Sequence, residues 1–516
     1  MSVAPPRPLP ALKGAPLVVI SVALAVATFM QVLDTTIANV SVPTIAGDLG
    51  VSADQGTWVI TAFAVSNGVA LPLTGWLMQR FGVVRVFSIS VLLFTFASLL
   101  CGLAWNFPSL IIFRALQGAV CGPMIPGSQA LLMAIFPPER RSTALGIWSI
   151  TTLLAPIFGP VLGGYISDNY SWPWIFLINL PIGIASATIC WYGLRSRETP
   201  TRILPIDGIG FILLLIWVGS LQVALDRGKD ADWFASTSII ILAITAVVGF
   251  IAWLIWEKTE TYPVVDISLF KSRNFTFGTI ALCLAYGVFF GNLVLLPLWL
   301  QTQQGYTATW AGLVAAPSGV VAVALTPFVA RVMGRVDSRW GGTASLIAFA
   351  TSYFMRANLT PDASFWDYAI PNMVMGIGMS LFFVSMITLS MSGIAPARLP
   401  AAAGLSNFAR ITAGSFAASL TTTFWDRREA FHQSHLSEAT SLYDPTTNAT
   451  LESLQHHGLS HAQSLAQMTQ ALIGQAYVKS SVDYFWMSGW LALGLIPAIW
   501  AARRAMSSGK PSVAAD

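Results

Sequence analysis

Long apolar runs separated by short polar connections recur along the whole chain. A helix that crosses the bilayer core needs about 20 predominantly apolar residues, and we find fourteen candidate runs. They lie approximately at 17–42, 56–78, 84–105, 107–135, 143–167, 173–194, 207–226, 237–256, 274–301, 308–332, 341–357, 367–393, 402–425 and 480–502. This pattern predicts an all-α membrane protein with fourteen transmembrane helices.

The composition supports that class. Hydrophobic residues make up 55% of the chain and charged residues only 10%, whereas soluble domains carry about 25% charged residues. Basic residues do not cluster as nucleic-acid binding requires, so we expect no nucleic-acid partner. The four cysteines lie in apolar segments without metal-binding spacing, and buried packing is the favoured interpretation.

Lysine and arginine are unevenly distributed between the two ends of the predicted helices. Nineteen of the 27 lie in the even-numbered connections and the two terminal tails. The positive-inside rule therefore predicts that both termini are cytoplasmic. Two basic residues, Arg114 and Arg410, lie inside spans. Six lie on the predicted outer side: Arg227, Lys229, Arg356, Arg427, Arg428 and Lys479.

Weak similarities recur at offsets of 252 to 258 residues. The matching positions are Thr57-Trp58 with Thr309-Trp310, Pro138-Glu139-Arg140 with Pro396-Ala397-Arg398, and Gly118 with Gly376. Internal repeats with a site between them are common in transporters. We therefore predict these regions: a cytoplasmic tail (1–16), a six-helix bundle (17–200), two inserted helices (201–260), a second six-helix bundle (261–502) and a cytoplasmic tail (503–516).

Asp34 and Arg114 are charged residues inside otherwise apolar spans. Counting about 1.5 Å per residue places both roughly 10–14 Å below the outer interface, so we predict that they pair. A static structural ion pair and a proton carrier are both compatible with this pairing. At the repeat offsets the two residues align with the neutral Tyr286 and Asn372, which predicts proton chemistry in the first bundle only.

Other polar residues within the spans are candidates for a substrate cavity. They are Asn39, Gln117, Asn292, Asn407 and Arg410. Each amide side chain has an alternative role in hydrogen bonds between helices. Arg410 could also extend to the cytoplasmic interface.

The predicted outer connection 426–478 is long and polar, and it contains all five histidines of the chain. A solvated surface is favoured over a metal site there, because no recognisable ligand set accompanies the histidines. Within this connection, the stretch 459–473 has the pattern of an amphipathic helix.

Several of these stretches resemble signature motifs of the major facilitator superfamily of drug:proton antiporters. They are LDTTIANVSVP (33–43), GWLMQRFGVVR (75–85), RALQG (114–118) and GPVLGG (159–164). The stretch WIFLINLPIG (174–183) and the fourteen spans are similar to the branch with two additional central helices.

This resemblance implies a proton-coupled antiporter that exports hydrophobic or amphipathic drugs across the inner membrane of a Gram-negative envelope. The proton motive force would drive it without a cofactor. Its partners would be a periplasmic adaptor, met through the 426–478 connection, and an outer-membrane channel. Exporting an endogenous fatty acid, siderophore or metabolite, or acting as a non-transporting receptor or scaffold, are alternatives. An enzyme is not expected, since no nucleophile, base or metal set converges.

The resemblance also assigns roles by position. Asp34 would be the proton-coupling carboxylate and Arg114 its partner. The antiporter motif would be Gly159, Pro160, Gly163 and Gly164, as a close helix contact or a hinge. The cytoplasmic gating loop would contain Gly75, Arg80, Gly82 and Arg85. Gln79 replaces an acidic residue found in many relatives, so the resemblance supports a steric turn at Gly82 rather than a charge relay.

Overall fold

Helices form the protein throughout the part of the chain that the structure describes. A computed structural model describes residues 12–51, 53–137, 140–203, 205, 207–229, 231–263, 265–359, 363–395, 398–440 and 444–505, and these ranges contain no strand. The predicted all-α class is therefore confirmed. The helices are α1 (Ala15–Asp48), α2 (Ala53–Gly56), α3 (Trp58–Phe81), α4 (Val83–Gly102), α5 (Phe107–Cys121), α6 (Met124–Ile135), α7 (Arg141–Asn169), α8 (Trp174–Leu177), α9 (Asn179–Leu194), α10 (Gly208–Gly228), α11 (Thr237–Thr259), α12 (Arg273–Gln303), α13 (Ala308–Met333), α14 (Ser338–Arg356), α15 (Phe365–Met391), α16 (Leu399–Ala439), α17 (Pro445–His456), α18 (His461–Gly494) and α19 (Ile496–Trp500).

These helices account for the predicted spans. Among the described residues, eleven helical segments are long and apolar enough to cross a membrane. Helices α7, α14 and α16 occupy the fifth, eleventh and thirteenth predicted spans. In α14, small and polar residues such as Gly341, Ser345 and Ser352 are buried. These residues face neighbouring helices rather than lipid, so this span is less apolar than a lipid-exposed one.

The first and last six spans each pack into a bundle. Contacts join α1 to α7 and α9, and α3 to α5, in the first half. They join α13 to α15, α12 to α16, and α14 to α15 and α18, in the second half. Helices α10 and α11 pack on each other, and α10 also contacts α3 and α16. The inserted pair therefore lies against both bundles through α10.

The two bundles approach each other closely on the side predicted to be cytoplasmic. A Cβ atom added to Gly75 would lie 2.8 Å from the Cα atom of Ala401 in the other bundle. Similarly, a Cβ atom on Gly146 would lie 3.1 Å from the Thr326 side chain and 3.2 Å from Ala330. Small residues thus permit close contact between the bundles at this side.

Helix α1 is longer than predicted. Its predicted end was residue 42, but it continues to Asp48, whose carboxylate accepts a hydrogen bond from the Trp172 indole at 2.7 Å. Ser41 donates to the Ile37 carbonyl and lies 2.9 Å from the Ser167 hydroxyl of α7. Polar side chains that find partners on neighbouring helices do not end a helix, and hydropathy alone misses this.

The predicted outer connection 426–478 is largely helical in its described part. Helix α16 continues to Ala439, α17 follows, and α18 begins at His461. The predicted amphipathic helix at 459–473 lies within α18 apart from its first two residues. Asp483 of α18 pairs with Arg428 of α16 and lies 2.8 Å from His432 Nε2. Arg428 lies three residues beyond the predicted thirteenth span, whereas Asp483 lies three residues inside the fourteenth. The pair therefore joins the two helices at the outer ends of their spans.

Candidate functional site

Asp34 is the centre of a buried polar cluster in the first bundle. Its side chain lies in the middle of α1 and is 2% exposed. One carboxylate oxygen accepts a hydrogen bond from Arg114 Nη1 at 2.7 Å. The other accepts from Gln117 Nε2 at 3.1 Å and from Asn179 Nδ2 at 2.9 Å. The structure thus contains the predicted Asp34–Arg114 pair, and a buried charge needs such hydrogen-bonding partners.

Arg114 is held by contacts beyond the carboxylate. It is fully buried, its Nε donates to the Val59 carbonyl at 3.1 Å, and its Nη1 also donates to Gln117 Oε1 at 2.6 Å. The guanidinium carbon lies 4.4 Å from the centre of the Phe63 ring. These contacts come from α3 and α5, so Arg114 has polar and aromatic partners besides the carboxylate.

Asn179 is a member of this cluster that the sequence analysis did not identify. It is the first residue of α9, is fully buried, and directs its Nδ2 at both Asp34 and the Ser98 hydroxyl, the latter at 3.0 Å. The sequence contains one indication of its role: Asn179 is the only amide residue inside the apolar motif WIFLINLPIG. Span counting alone could not show that this residue lies level with Asp34.

The glycines of the predicted antiporter motif pack against the same helix. A Cβ atom on Gly159 would collide with the Thr36 side chain, and one on Gly163 would lie 3.1 Å from the Ile37 carbonyl oxygen. Gly164 has no neighbouring atom within 4 Å of its Cβ position. The side chain of Pro160 lies outside the described part. Helix α7 therefore contacts α1 at Thr36 and Ile37, which follow Asp34 closely in the sequence. A hinge at this motif stays a prediction.

The turn of the predicted gating loop is built on Gly82. Its φ of +92° lies in the left-handed region that favours glycine, and it separates α3 from α4. The Glu198 carboxylate accepts hydrogen bonds from the backbone N–H groups of Val84 and Arg85, both at 2.9 Å. The carboxylate thus satisfies unpaired donors at the start of α4.

The other residues of this loop make local contacts. The backbone carbonyl oxygen of Gln79 accepts a hydrogen bond from the backbone N–H of Arg202 at 2.9 Å. The Arg80 guanidinium lies 5.8 Å from the centre of the Trp76 ring. Together with the Gly75 contact described above, these interactions tie the loop to the linker that follows α9 and to the second bundle.

The second bundle contains a buried charge that the sequence did not reveal. Arg356 was counted on the outer side, and it is the last residue of α14, where it is fully buried. Its Nη1 donates to Asn292 Oδ1 and its Nη2 to Asn372 Oδ1, both at 2.7 Å. Charge counting located Arg356 near the outer end of its span but could not show that the residue is buried. Asn292 contacts Arg356, and its role as a cavity residue stays a prediction.

The two buried clusters occupy equivalent positions in the repeat. An offset of 258 residues pairs Asp34 with Asn292, Ser98 with Arg356, and Arg114 with Asn372. At this offset Asp34 aligns with Asn292 rather than with Tyr286. Neutral residues thus take the place of both members of the pair, as expected, while the buried charge of the second bundle takes the place of Ser98. Residues 138, 139, 396 and 397 of the predicted repeat lie outside the described residues.

Asn407 and Arg410 lie between the bundles. Asn407 Nδ2 donates to Gln129 Oε1 of α6 at 2.9 Å, and Arg410 Nη2 donates to Asn407 Oδ1 at 3.0 Å. The Arg410 guanidinium lies 4.5 Å from the centre of the Tyr286 ring, and the residue is 4% exposed. The suggested extension of Arg410 to the cytoplasmic interface is therefore wrong.

The remaining predicted cavity residues have other positions. Gln117 belongs to the Asp34 cluster, where it donates to the carboxylate and accepts from Arg114. The side chain of Asn39 lies outside the described residues. Of the five candidates, Asn407 and Arg410 are the two that the structure brings to the interface between the bundles.

Comparisons with known proteins agree with this architecture. Residues 24–418 match the model of the Major Facilitator Superfamily. The chain is 47% identical to the Multidrug export protein EmrB of Escherichia coli K12, over 96% of this chain and 98% of that protein. It is 45% identical to the Fatty acid resistance protein FarB of Neisseria gonorrhoeae, over 97% and 99%. A solved structure of the proton:xylose symporter XylE has a TM-score of 0.60 at 12% identity and covers 95% of this chain and 97% of that one.

Proposed function

The chain belongs to the major facilitator superfamily, and on that premise we propose that it is a proton-coupled antiporter that exports hydrophobic or amphipathic toxic compounds. The buried Asp34–Arg114 cluster carries the proposal, because an intramembrane carboxylate with defined partners is a typical proton site. The high identity to EmrB supports the drug-export class. The inner membrane of a Gram-negative cell is the proposed location.

Protonation of Asp34 provides the proposed coupling step. A neutral carboxyl group no longer forms an ion pair with Arg114 and accepts weaker hydrogen bonds from Gln117 and Asn179. The contacts of α1 with α5 and α9 then loosen. Because α7 packs on α1 through Gly159 and also contacts α13 of the other bundle, movement of α1 is transmitted to the interface between the bundles.

Partners outside the membrane form a second part of the proposal. Helices α16 and α18 extend beyond their predicted spans, and the Arg428–Asp483 pair joins them at the outer ends of those spans. We assign this paired extension as the contact for a periplasmic adaptor that leads to an outer-membrane channel. The proton gradient supplies the energy, and no cofactor is required.

Export of an endogenous amphiphile by the same mechanism is the second candidate function. The observation in its favour is the 45% identity to FarB, whose name refers to fatty acid resistance. Growth of a deletion strain on toxic drugs and on medium-chain fatty acids separates the two candidates. Equal sensitivity of deletion and parent strains to both groups would instead favour a receptor or scaffold.

The coupling experiment compares wild type with Asp34→Asn in proteoliposomes that carry an imposed pH gradient. We expect the wild type to release protons from the gradient when a hydrophobic substrate dye is added, and Asp34→Asn to lose this flux. Asp232→Asn is the matched control. Asp232 is exposed in the α10–α11 connection and has a φ of +53°, which asparagine also adopts readily. Substrate-dependent proton flux in Asp34→Asn equal to that of the control would refute the coupling role.

A further inference from the structure

We propose that Arg410 forms a binding subsite for the anionic head of a lipophilic substrate, so that the protein selects amphipathic carboxylates over cationic drugs. This inference rests on the proposed export function and adds a substrate class to it. The subsite lies in the second bundle, apart from the Asp34 cluster.

The first argument is the distribution of buried charge among the described residues. One group lies at helix ends on the predicted cytoplasmic side: Asp207, Glu257 and Asp337. The other group lies inside the bundles: Asp34, Arg114, Arg356 and Arg410. In the interior three arginines therefore accompany a single carboxylate, which Arg114 already neutralises. An interior with this excess of positive charge stabilises an anion and disfavours a cation.

The second argument is that Arg410 has few protein partners. A guanidinium carries five N–H donors, and within the described part of the chain that of Arg410 donates one hydrogen bond, to Asn407 Oδ1. No carboxylate of the described residues lies within ion-pair distance of it. By contrast, Arg356 donates to two asparagine side chains, and Arg114 donates to Asp34 and Gln117 and to a backbone carbonyl. Arg410 therefore retains donors for a ligand.

The third argument is the position and surroundings of the guanidinium. Asn407, which orients it, is itself bonded to Gln129 of the first bundle. The rings of Tyr286 and Phe383 lie 4.5 and 5.9 Å from the guanidinium carbon, and Phe383 contacts Trp148 of the first bundle edge to face. The charge thus lies near the contact between the bundles, beside two aromatic rings of the second bundle, one of which packs on Trp148 of the first.

These features fit one chemical class. The planar fork of arginine matches the two oxygens of a carboxylate, and the aromatic rings provide apolar surface for a hydrocarbon or aromatic tail. A cationic amphiphile would meet an uncompensated positive charge at the same place. The proton site and the proposed anion subsite lie in different bundles, so the two ligands do not compete for one group.

The test compares two probes that share a tail and differ in the head. Dansylamino-undecanoate carries a carboxylate, whereas its methyl ester is neutral. Their fluorescence titrates binding to the protein in phosphatidylcholine nanodiscs, with empty nanodiscs subtracted. The variants are Arg410→Gln, Arg410→Lys and the control Arg331→Gln, which removes a positive charge at an exposed position near the end of α13. Thermal unfolding and gel filtration verify that each variant is folded.

We expect wild type and Arg331→Gln to bind the carboxylate more tightly than the ester. Arg410→Gln should weaken carboxylate binding about tenfold, which equals about 1.4 kcal/mol, and leave ester binding unchanged. Arg410→Lys should give an intermediate loss, since it keeps the charge without the fork. Equal affinity of wild type for both probes, or equal losses of both probes in Arg410→Gln, would overturn the proposal.

The binding test and the coupling experiment have independent outcomes, so either proposal can be refuted without the other. Probe binding is measured without a proton gradient, so a preference for carboxylate that depends on Arg410 stands even if no proton flux is found. Conversely, substrate-dependent proton flux together with equal affinity for the two probes would retain antiport and reject the anion subsite. If Arg410→Gln does not fold, the wild-type comparison of the two probes and the Arg410→Lys variant still decide the question.

Discussion

At the scale of single residues, the Asp34 carboxylate is bound by donors from two helices besides its own. Arg114 and Gln117 lie on α5 and Asn179 begins α9. A hydrogen bond to a charged group contributes about 1.5–3 kcal/mol, more than one between neutral groups. The charged carboxylate thus holds three helices together, and in the proposed coupling step the protonated group would hold them less tightly.

Removing Asn179 tests this cluster. Asn179→Ala leaves Asp34 with one donor fewer, so we expect a loss of about 1–3 kcal/mol in stability, seen as a lower thermal unfolding temperature in detergent. The control is Asn169→Ala, since Asn169 is exposed and its side chain donates to the Tyr165 carbonyl on its own helix. An equal effect of the two substitutions would contradict a special role for Asn179.

At this scale the sequence identifies a site residue when a charge stands in an apolar background. Asp34 and Arg114 were paired correctly because charged residues inside a span need partners. Asn179 and Arg356 were missed for different reasons. An amide in an apolar run has many possible roles, and Arg356 ends a helix whose apolar character is weak. The direction in which each of these side chains points within its bundle decides its role, and the linear spacing of residues does not give that direction.

At the scale of helices, the contact of α7 with α1 depends on the absence of side chains. Gly159 and Gly164 offer a matched comparison within one motif. A Cβ atom on Gly159 collides with Thr36, two residues after Asp34, whereas a Cβ atom on Gly164 meets no atom within 4 Å. The contact therefore distinguishes two glycines that are equivalent in the sequence motif.

We accordingly predict opposite outcomes for two alanine substitutions. Gly159→Ala separates α7 from α1 and should reduce proton-coupled transport at least tenfold, measured as initial flux in proteoliposomes, because protonation at Asp34 is no longer transmitted. Gly164→Ala should retain near wild-type flux. If both substitutions abolished transport at normal expression, the motif would act as a hinge that needs backbone freedom rather than as a packing contact.

Helix ends were the least predictable elements. Hydropathy located the apolar part of each span, but α1, α16 and α18 continue into polar sequence. Near the end of α1, Ser41 contacts Ser167 of α7 and Asp48 accepts a hydrogen bond from Trp172. At the outer ends of α16 and α18, Arg428 pairs with Asp483. Outside the lipid a helix needs no apolar surface, so its end cannot be found from the end of an apolar run.

At the scale of the whole molecule, span counting and a weak repeat predict two bundles and an inserted helix pair. Neither span counting nor the repeat predicts the contacts that hold the bundles together, because those contacts depend on which small residues face each other. On the predicted cytoplasmic side the bundles meet through Thr74 and Gly75 of α3 and Ala401 and Gly404 of α16.

A cross-link tests whether these contacts must open during transport. A Cβ atom on Gly404 would lie 3.3 Å from the Thr74 Cβ atom, close to the spacing of about 3.5–4.5 Å in disulfides. We expect Thr74→Cys/Gly404→Cys to form a disulfide under oxidation and to lose transport, with recovery after reduction. Variants that carry only one of the two added cysteines should transport under both oxidising and reducing conditions. Undiminished flux in the fully cross-linked protein would show that the bundles work without separating there.

The excess of buried positive charge has a consequence for the energy of the transport cycle. A neutral cargo exchanged for one proton moves one elementary charge across the membrane. If the cargo leaves as an anion, as the Arg410 subsite implies, the same exchange moves the equivalent of two charges inward. A membrane potential supplies about 2.3 kcal/mol per charge per 100 mV, so the anion would be exported with about twice the electrical driving force. The voltage component of the gradient would then sustain export even where the pH inside and outside the cell is the same.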